Sequence, residues 1–171
     1  MDARPARSAR GVVARGRAVD CGILTVLLQQ LPILLIEDDD VGVMTVRRAF
    51  RSNNVTNPLY AVKNGLEALD FLNRRGVYAA TGAAPRPGLL LLDLNMPLMS
   101  GIEFLQARHE NASLRTIPAV VLTTSSSDED LQRCYDLGVS GYIVKPVRFA
   151  AFVEALRTVN LYWTLCAVPS S

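Results

Sequence analysis

The stretch Leu89-Leu90-Leu91-Leu92-Asp93-Leu94-Asn95-Met96-Pro97-Leu98-Met99-Ser100-Gly101 decides the fold. Four leucines, one carboxylate and then a Pro/Gly turn describe a buried strand that releases an acid at its C-terminal end. That placement is chemical in character, because ligands of open α/β sheets bind beyond the carboxyl ends of the strands. Two other stretches repeat the design. Leu34-Leu35-Ile36-Glu37-Asp38 is an apolar run ending in acids, and Tyr142-Ile143-Val144-Lys145-Pro146 is one ending in a cation.

Outward from these runs, the spacing predicts strands over 33–36, 59–62, 89–93, 119–122 and 141–144. Helices are predicted over 40–53, 65–76, 101–110, 128–137 and 149–165. Val43, Met44, Val46 and Phe50 recur at helical spacing in the first helix. Leu66, Leu69 and Leu72 form the expected inward stripe of the second, and Ile102 and Leu105 that of the third. Phe149, Phe152, Val153 and Leu156 do the same in the last. Asn64 and Ser127 are placed to cap helices, and Gly138 to end one. Gly82, Pro85, Pro87 and Gly88 make 77–88 a loop. Five strands alternating with five helices require parallel strands and right-handed crossovers, hence an α/β three-layer sandwich.

Composition narrows the function. The chain has 171 residues, half of them hydrophobic, with a net charge of +2. Arg4, Arg7, Arg10, Arg15 and Arg17 against Asp2 and Asp20 give residues 1–20 a charge of +3, which leaves the remainder at −1. A basic face for direct nucleic-acid binding is not expected. Cys21, Cys134 and Cys166 are odd in number and scattered, and His109 has no Cys or His neighbour in sequence. Neither a zinc site nor a disulfide framework follows, which suits a reducing, cytoplasmic setting. Residues 1–30 read as an Arg-rich tail, with an anion- or membrane-surface arm as the alternative. The apolar stretch 22–36 is too short and too interrupted to span a bilayer.

Glu37, Asp38, Asp93, Thr123 and Lys145 all fall at or just after strand ends, so a parallel sheet gathers them at one edge. Three nearby carboxylates resist ionising together unless a cation joins them. Oxygen-only ligands favour Mg2+ or Mn2+. A carboxylate nucleophile, a metal, the Lys145 ammonium and the Thr123 hydroxyl are what phosphoryl transfer to an acid requires. Asp39 and Asp40 fit a helix N-terminus better than a metal site. His109 is expected on the surface near a helix C-terminus.

Taken together, Glu37-Asp38, Asp93-Leu94-Asn95-Met96-Pro97, Ser100-Gly101, Leu122-Thr123-Thr124 and Lys145-Pro146 resemble the receiver domain of bacterial two-component response regulators over about 32–158. The resemblance implies a flavodoxin-like sheet of order 2-1-3-4-5, with Asp93 as phosphoacceptor for a sensor histidine kinase. It implies Asp38, Asp93 and the Asn95 main-chain carbonyl as Mg2+ ligands, with Glu37 acting mainly through metal-bound water. Lys145, Thr123 and Thr124 would contact the phosphoryl group. Thr123 and Tyr142 would form the switch pair, although packing alone would also account for Tyr142. Lys145-Pro146 is a candidate cis bond.

The expected organisation is a tail over 1–30, a receiver over 31–158 and an apolar extension over 159–171. With no effector region expected after Arg157, the signal would leave through protein contacts or a phosphorelay. Leu161, Tyr162, Trp163 and Leu165 continue the apolar character beyond what the sheet can cover, so a homodimer interface is expected there, by exchange of C-terminal arms. Ile33 to Asp39, Tyr78-Ala79 through Pro85-Arg86-Pro87, Leu122 to Ser125 and Tyr162-Trp163 resemble stand-alone regulators, some of them paired with bacterial phytochrome kinases. That implies a bacteriophytochrome partner. The competing reading is an aspartyl-nucleophile phosphohydrolase of haloacid-dehalogenase type. Such enzymes usually carry a second Asp two residues on, where this chain has Asn95.

Overall fold

The computed structural model of the chain describes residues 31–80 and 82–165, with side chains described through Leu161. The N-terminal tail and the extension beyond Leu165 therefore lie outside the described residues, as do the side chains of Tyr162, Trp163 and Leu165. The strands are β1 (Ile33–Ile36), β2 (Leu59–Val62), β3 (Leu89–Leu92), β4 (Ala119–Thr123) and β5 (Gly141–Val144). The helices are α1 (Asp40–Ser52), α2 (Gly65–Asn73), α3 (Gly101–Glu110), α4 (Ala112–Arg115), α5 (Asp128–Asp136) and α6 (Phe149–Leu165). All neighbouring strands pair in parallel, in the order β2-β1-β3-β4-β5. The expected flavodoxin-like sandwich is the fold.

The leucine run explains the two layers. Successive side chains of a strand point to opposite faces. Leu34, Ile36, Leu90 and Leu92 join Phe71 of α2, Phe104 and Leu105 of α3 and Cys134 of α5 in one core. Ile33, Leu35, Leu89 and Leu91 meet Val46, Ala49 and Phe50 of α1 and Phe152 and Leu156 of α6 in the other. A central strand thus needs apolar residues at every position. Each fully buried leucine contributes about 1.5–3 kcal/mol.

The helix phases differ from the sequence reading in two places. Leu66 is 48 % exposed, and α2 turns Ala68 and Phe71 inward, flanked by half-buried Leu69 and Leu72. The cause lies at the start of the helix. Gly65 is buried under Met99 and Phe104, so close that a Cβ would sit 2.6 Å from Met99 Cγ. With residue 65 inward, 68 and 71–72 share its face and 66 does not. Met44 is likewise 60 % exposed, because the inward face of α1 is Val46, Ala49 and Phe50. Asn73 ends α2 earlier than expected, where Arg74 takes a left-handed φ of 53°. A 3-10 turn follows at Gly76–Tyr78, from the last residue of the predicted helix into the predicted loop.

Arg108 is the structural residue that the sequence pattern conceals. It lies on the inner face of α3, 2 % exposed. Its Nε and Nη2 donate to the Ile117 carbonyl at 3.1 and 2.7 Å, and Nη2 also donates to Arg115 at 3.1 Å. The guanidinium therefore closes the turn from α4 into β4, although burial pushes its pKa down. Its signal was only the short helix α4 itself, announced by Asn111, whose side chain accepts from the Ser113 and Leu114 amides.

Candidate functional site

Each polar residue of the carboxyl edge is fixed by one further backbone bond beyond its strand. The Glu37 amide donates to Val62 at 2.9 Å, the Asp93 amide to Ile36 at 3.0 Å and the Lys145 amide to Thr123 at 2.7 Å. The ladder thus carries three chain segments to a common depth before their side chains leave the sheet.

The side chains then converge. Lys145 Nζ lies 2.6 Å from Asp93 Oδ2 and 2.7 Å from Glu37 Oε2. Both acids are buried, and the lysine is largely so. The other oxygen of Asp93, Oδ1, accepts from the Leu94 amide at 2.6 Å and the Asn95 amide at 3.3 Å. The Asp93 carboxylate is therefore oriented at both oxygens. Asp38, half-buried, adds its charge to the field at Glu37 and joins no ion pair among the described residues.

The loop after Asp93 has its own local logic. Leu98 sits at φ 68°, a left-handed conformation that costs roughly 1–2 kcal/mol for a non-glycine residue. The turn returns the chain so closely that a Cβ on Gly101 would collide with the Asp93 carbonyl oxygen. Ser100 and Glu103 then form a reciprocal capping box that starts α3. The Pro/Gly turn is thus a means of holding Asp93 against a helix N-terminus.

Thr123 is fully buried, and its Oγ1 accepts from the Ser125 amide at 3.1 Å. The half-buried Tyr142 hydroxyl donates to the Ser125 carbonyl at 3.1 Å. Thr123 and Tyr142 therefore hold the same residue, Ser125, at the start of the loop into α5. Thr124 is exposed. Asp39 caps α1 through the Val41 and Gly42 amides, and Asp40 pairs with Lys63 at the surface at 3.0 Å. His109 is exposed near the end of α3. The Lys145–Pro146 bond is trans, as is every described peptide bond, in place of the cis form put forward from the resemblance. The trans form is the lower in energy by about 0.5–1 kcal/mol at X–Pro bonds, and Lys145 reaches both acids from it.

Electrostatics follow from burial. Desolvation raises the Glu37 pKa, and the Lys145 hydrogen bond and charge only partly oppose it. Burial pulls Lys145 down, but its hydrogen bonds to Asp93 and Glu37 and their charges outweigh this, so its pKa rises. Two buried carboxylates, Glu37 and Asp93, share one ammonium. Among the described residues, no three acids, histidines or cysteines are drawn together as a formed metal cage. The donor set itself, all oxygen and carrying more negative than positive charge, fits a hard divalent cation.

Comparisons with known proteins agree with the fold and with the motifs at its carboxyl edge. Residues 33–157 match the family model described as the response regulator receiver domain. The chain is 37 % identical over 131 residues to the probable methanogenesis regulatory protein FilR2 of Methanothrix harundinacea, covering 77 % of this chain and 82 % of that one. It is 34 % identical over 131 residues to response regulator Rcp1 of Synechocystis, covering 77 % and 87 %. The Mn2+-bound form of Rcp1 superposes with a TM-score of 0.74 at 32 % identity, covering 82 % of this chain and 99 % of that one. The phosphorylated cyanobacterial phytochrome response regulator RcpA superposes with a TM-score of 0.75, also at 32 % identity and with the same coverage.

Proposed function

Because the chain belongs to the response regulator receiver family, a family of phosphoacceptor signalling proteins, we propose that Asp93 is its phosphoacceptor. The observation that carries this is the Lys145 ammonium bridging Asp93 and Glu37 at the carboxyl edge of the sheet. An oxygen of Asp93 attacks the phosphorus of a kinase phosphohistidine. The phosphorus–nitrogen bond breaks, the imidazole leaves, and an acyl phosphate forms. The Leu94 and Asn95 amides orient the attacking carboxylate. Lys145, already at 2.6 Å, then exchanges its bond to Asp93 for one to a phosphoryl oxygen.

Glu37, Asp38, Asp93 and the Asn95 carbonyl would hold Mg2+ or Mn2+, which supplies charge neutralisation for the transferring oxygens. The likeness to the Mn2+-bound form of Rcp1 supports a divalent cation at this pocket. Thr123 and Thr124 would bind the phosphoryl group. Thr123 moving toward it would release Ser125, which Tyr142 holds from the other side, so the α5 loop is the proposed output element. The acyl phosphate would end by self-hydrolysis.

The family takes its phosphoryl groups from histidine kinases, and the likeness to RcpA supports a bacteriophytochrome as the partner. No helix among the described residues is long and apolar enough to cross a membrane, and we place the protein in the cytoplasm. Leu161, 55 % exposed on a helix that continues to Leu165, supports a homodimer through α6 and the residues after it. No direct contact with nucleic acid is assigned. The haloacid-dehalogenase alternative is not favoured: the family match covers the whole sheet, and Asn95 stands where that chemistry needs an acid.

The test is incubation with acetyl phosphate, with and without Mg2+, followed by intact mass. One phosphoryl group should be gained only with Mg2+, and none in Asp93→Asn. Repeated turnover of small phosphate esters would refute the reading.

A further inference from the structure

Glu37 has two oxygens and, among the described residues, one side-chain tether. Oε2 accepts from Lys145 at 2.7 Å, and the residue is 3 % exposed. The rest of its side chain lies against Gly42, the third residue of α1. A Cβ built on Gly42 would sit 2.6 Å from Glu37 Cδ, 2.7 Å from Oε1 and 3.0 Å from Cγ. Nothing in the backbone demands glycine there, because Gly42 lies within a regular helix and has no positive φ. Glycine is in fact the poorer choice for a helix, alanine the better one. Its presence is explained by the space it leaves, and that space is filled by the Glu37 carboxyl group.

We propose that Gly42 is a positioning residue for the acid pair: the missing side chain at 42 is what lets a glutamate stand at 37 with its carboxylate aimed at Lys145 and the acidic pocket. The inference rests on the reading of that pocket given above. The carboxylate cannot simply swing clear, because one side of it is held by the lysine and its burial leaves no solvent-facing route. A methyl at 42 forces it off Lys145 or away from the cation position. An aspartate at 37 is one methylene shorter, so its carboxyl carbon takes the Cγ place, 3.0 Å from a Cβ at 42 against 2.6 Å for the glutamate Cδ, and the conflict is milder. Positions 37 and 42 are therefore coupled: a methyl at 42 costs more beside glutamate than beside aspartate.

Four full-length proteins test this: wild type, Gly42→Ala, Glu37→Asp and the double variant. Mg2+ affinity is measured by calorimetry on the unphosphorylated protein, thermal stability without Mg2+, and phosphoryl uptake from acetyl phosphate by intact mass. Gly42→Ala should weaken Mg2+ binding by about tenfold or more, as displaced supporting groups at metal sites do. Added to Glu37→Asp, the same change should alter Mg2+ affinity by no more than about twofold, the scatter of independent sites. Any fall in melting temperature from Gly42→Ala should likewise be relieved by Glu37→Asp. An equal loss in both backgrounds, or no loss of Mg2+ affinity in Gly42→Ala, overturns the coupling while leaving the pocket's function intact. A wild-type protein that binds no Mg2+ and takes up no phosphoryl group removes the reading of the pocket, and this inference with it.

Discussion

Lys145 Nζ and Asp93 Oδ2 lie 2.6 Å apart across a sequence separation of 52 residues, and the same ammonium reaches Glu37, 108 residues away. One cation thus holds two buried acids from different strands. Its removal leaves both charges uncompensated. In Mg2+-free buffer at neutral pH, Lys145→Ala should lower unfolding free energy by about 3 kcal/mol. Saturating Mg2+ should restore part of that loss, because the divalent charge substitutes for the ammonium. Urea melts with and without Mg2+ measure both quantities.

The pH dependence has a definite sign. The Glu37 pKa is raised from 4.5, mainly by burial. The folded state therefore holds that proton more tightly than the unfolded state. Its contribution to stability is complete below 4.5 and is lost as pH rises through the raised folded value. Lys145 is raised from 10.5, so its contribution persists until pH exceeds that value. Urea midpoints of wild type should fall relative to Glu37→Gln as pH climbs above 4.5. Parallel profiles for the two proteins would remove the assigned role of burial.

Arg108 donates to the carbonyls of Ile117 and Arg115 at 2.7 and 3.1 Å and to that of Leu137 at 3.5 Å. Arg108→Met keeps the apolar stem but strands those carbonyls. A loss of about 2–3 kcal/mol is expected, the cost of unsatisfied buried groups. Chemical denaturation reads it directly, and phosphoryl uptake by the folded fraction should stay unchanged.

The phase of α2 is tested by a pair of substitutions. Phe71→Ala should cost about 3–5 kcal/mol and Leu66→Ala within about 0.5 kcal/mol. Similar losses at both positions would return the helix to the stripe read from sequence.

That pair also marks how far sequence carries. The strands were legible because their pattern is unambiguous: short apolar runs ended by polar residues. The gathering of Glu37, Asp93 and Lys145 followed from topology, since parallel strands bring their carboxyl ends to one edge. Helix phase was not legible. Leu66, Leu69 and Leu72 fit a stripe as well as Ala68 and Phe71 do, and the decision rests on Gly65 fitting beneath Met99. Arg108 was hidden for a related reason: a charged residue inside a core is recognised only once its carbonyl partners are in place. Half-buried β5, with Val144 exposed at its end, shows that an apolar run also fits the edge of a sheet. The contact between Gly42 and Glu37 was equally out of reach, because it depends on side-chain direction rather than spacing.

The central claim is that Asp93 carries the phosphoryl group. Borohydride trapping of the acyl phosphate after treatment with acetyl phosphate and Mg2+, followed by peptide sequencing, tests it most directly. The account predicts a single reduced site, at Asp93. Reduction at Asp38, at Glu37 or at any other acid, with Asp93 intact, would contradict it.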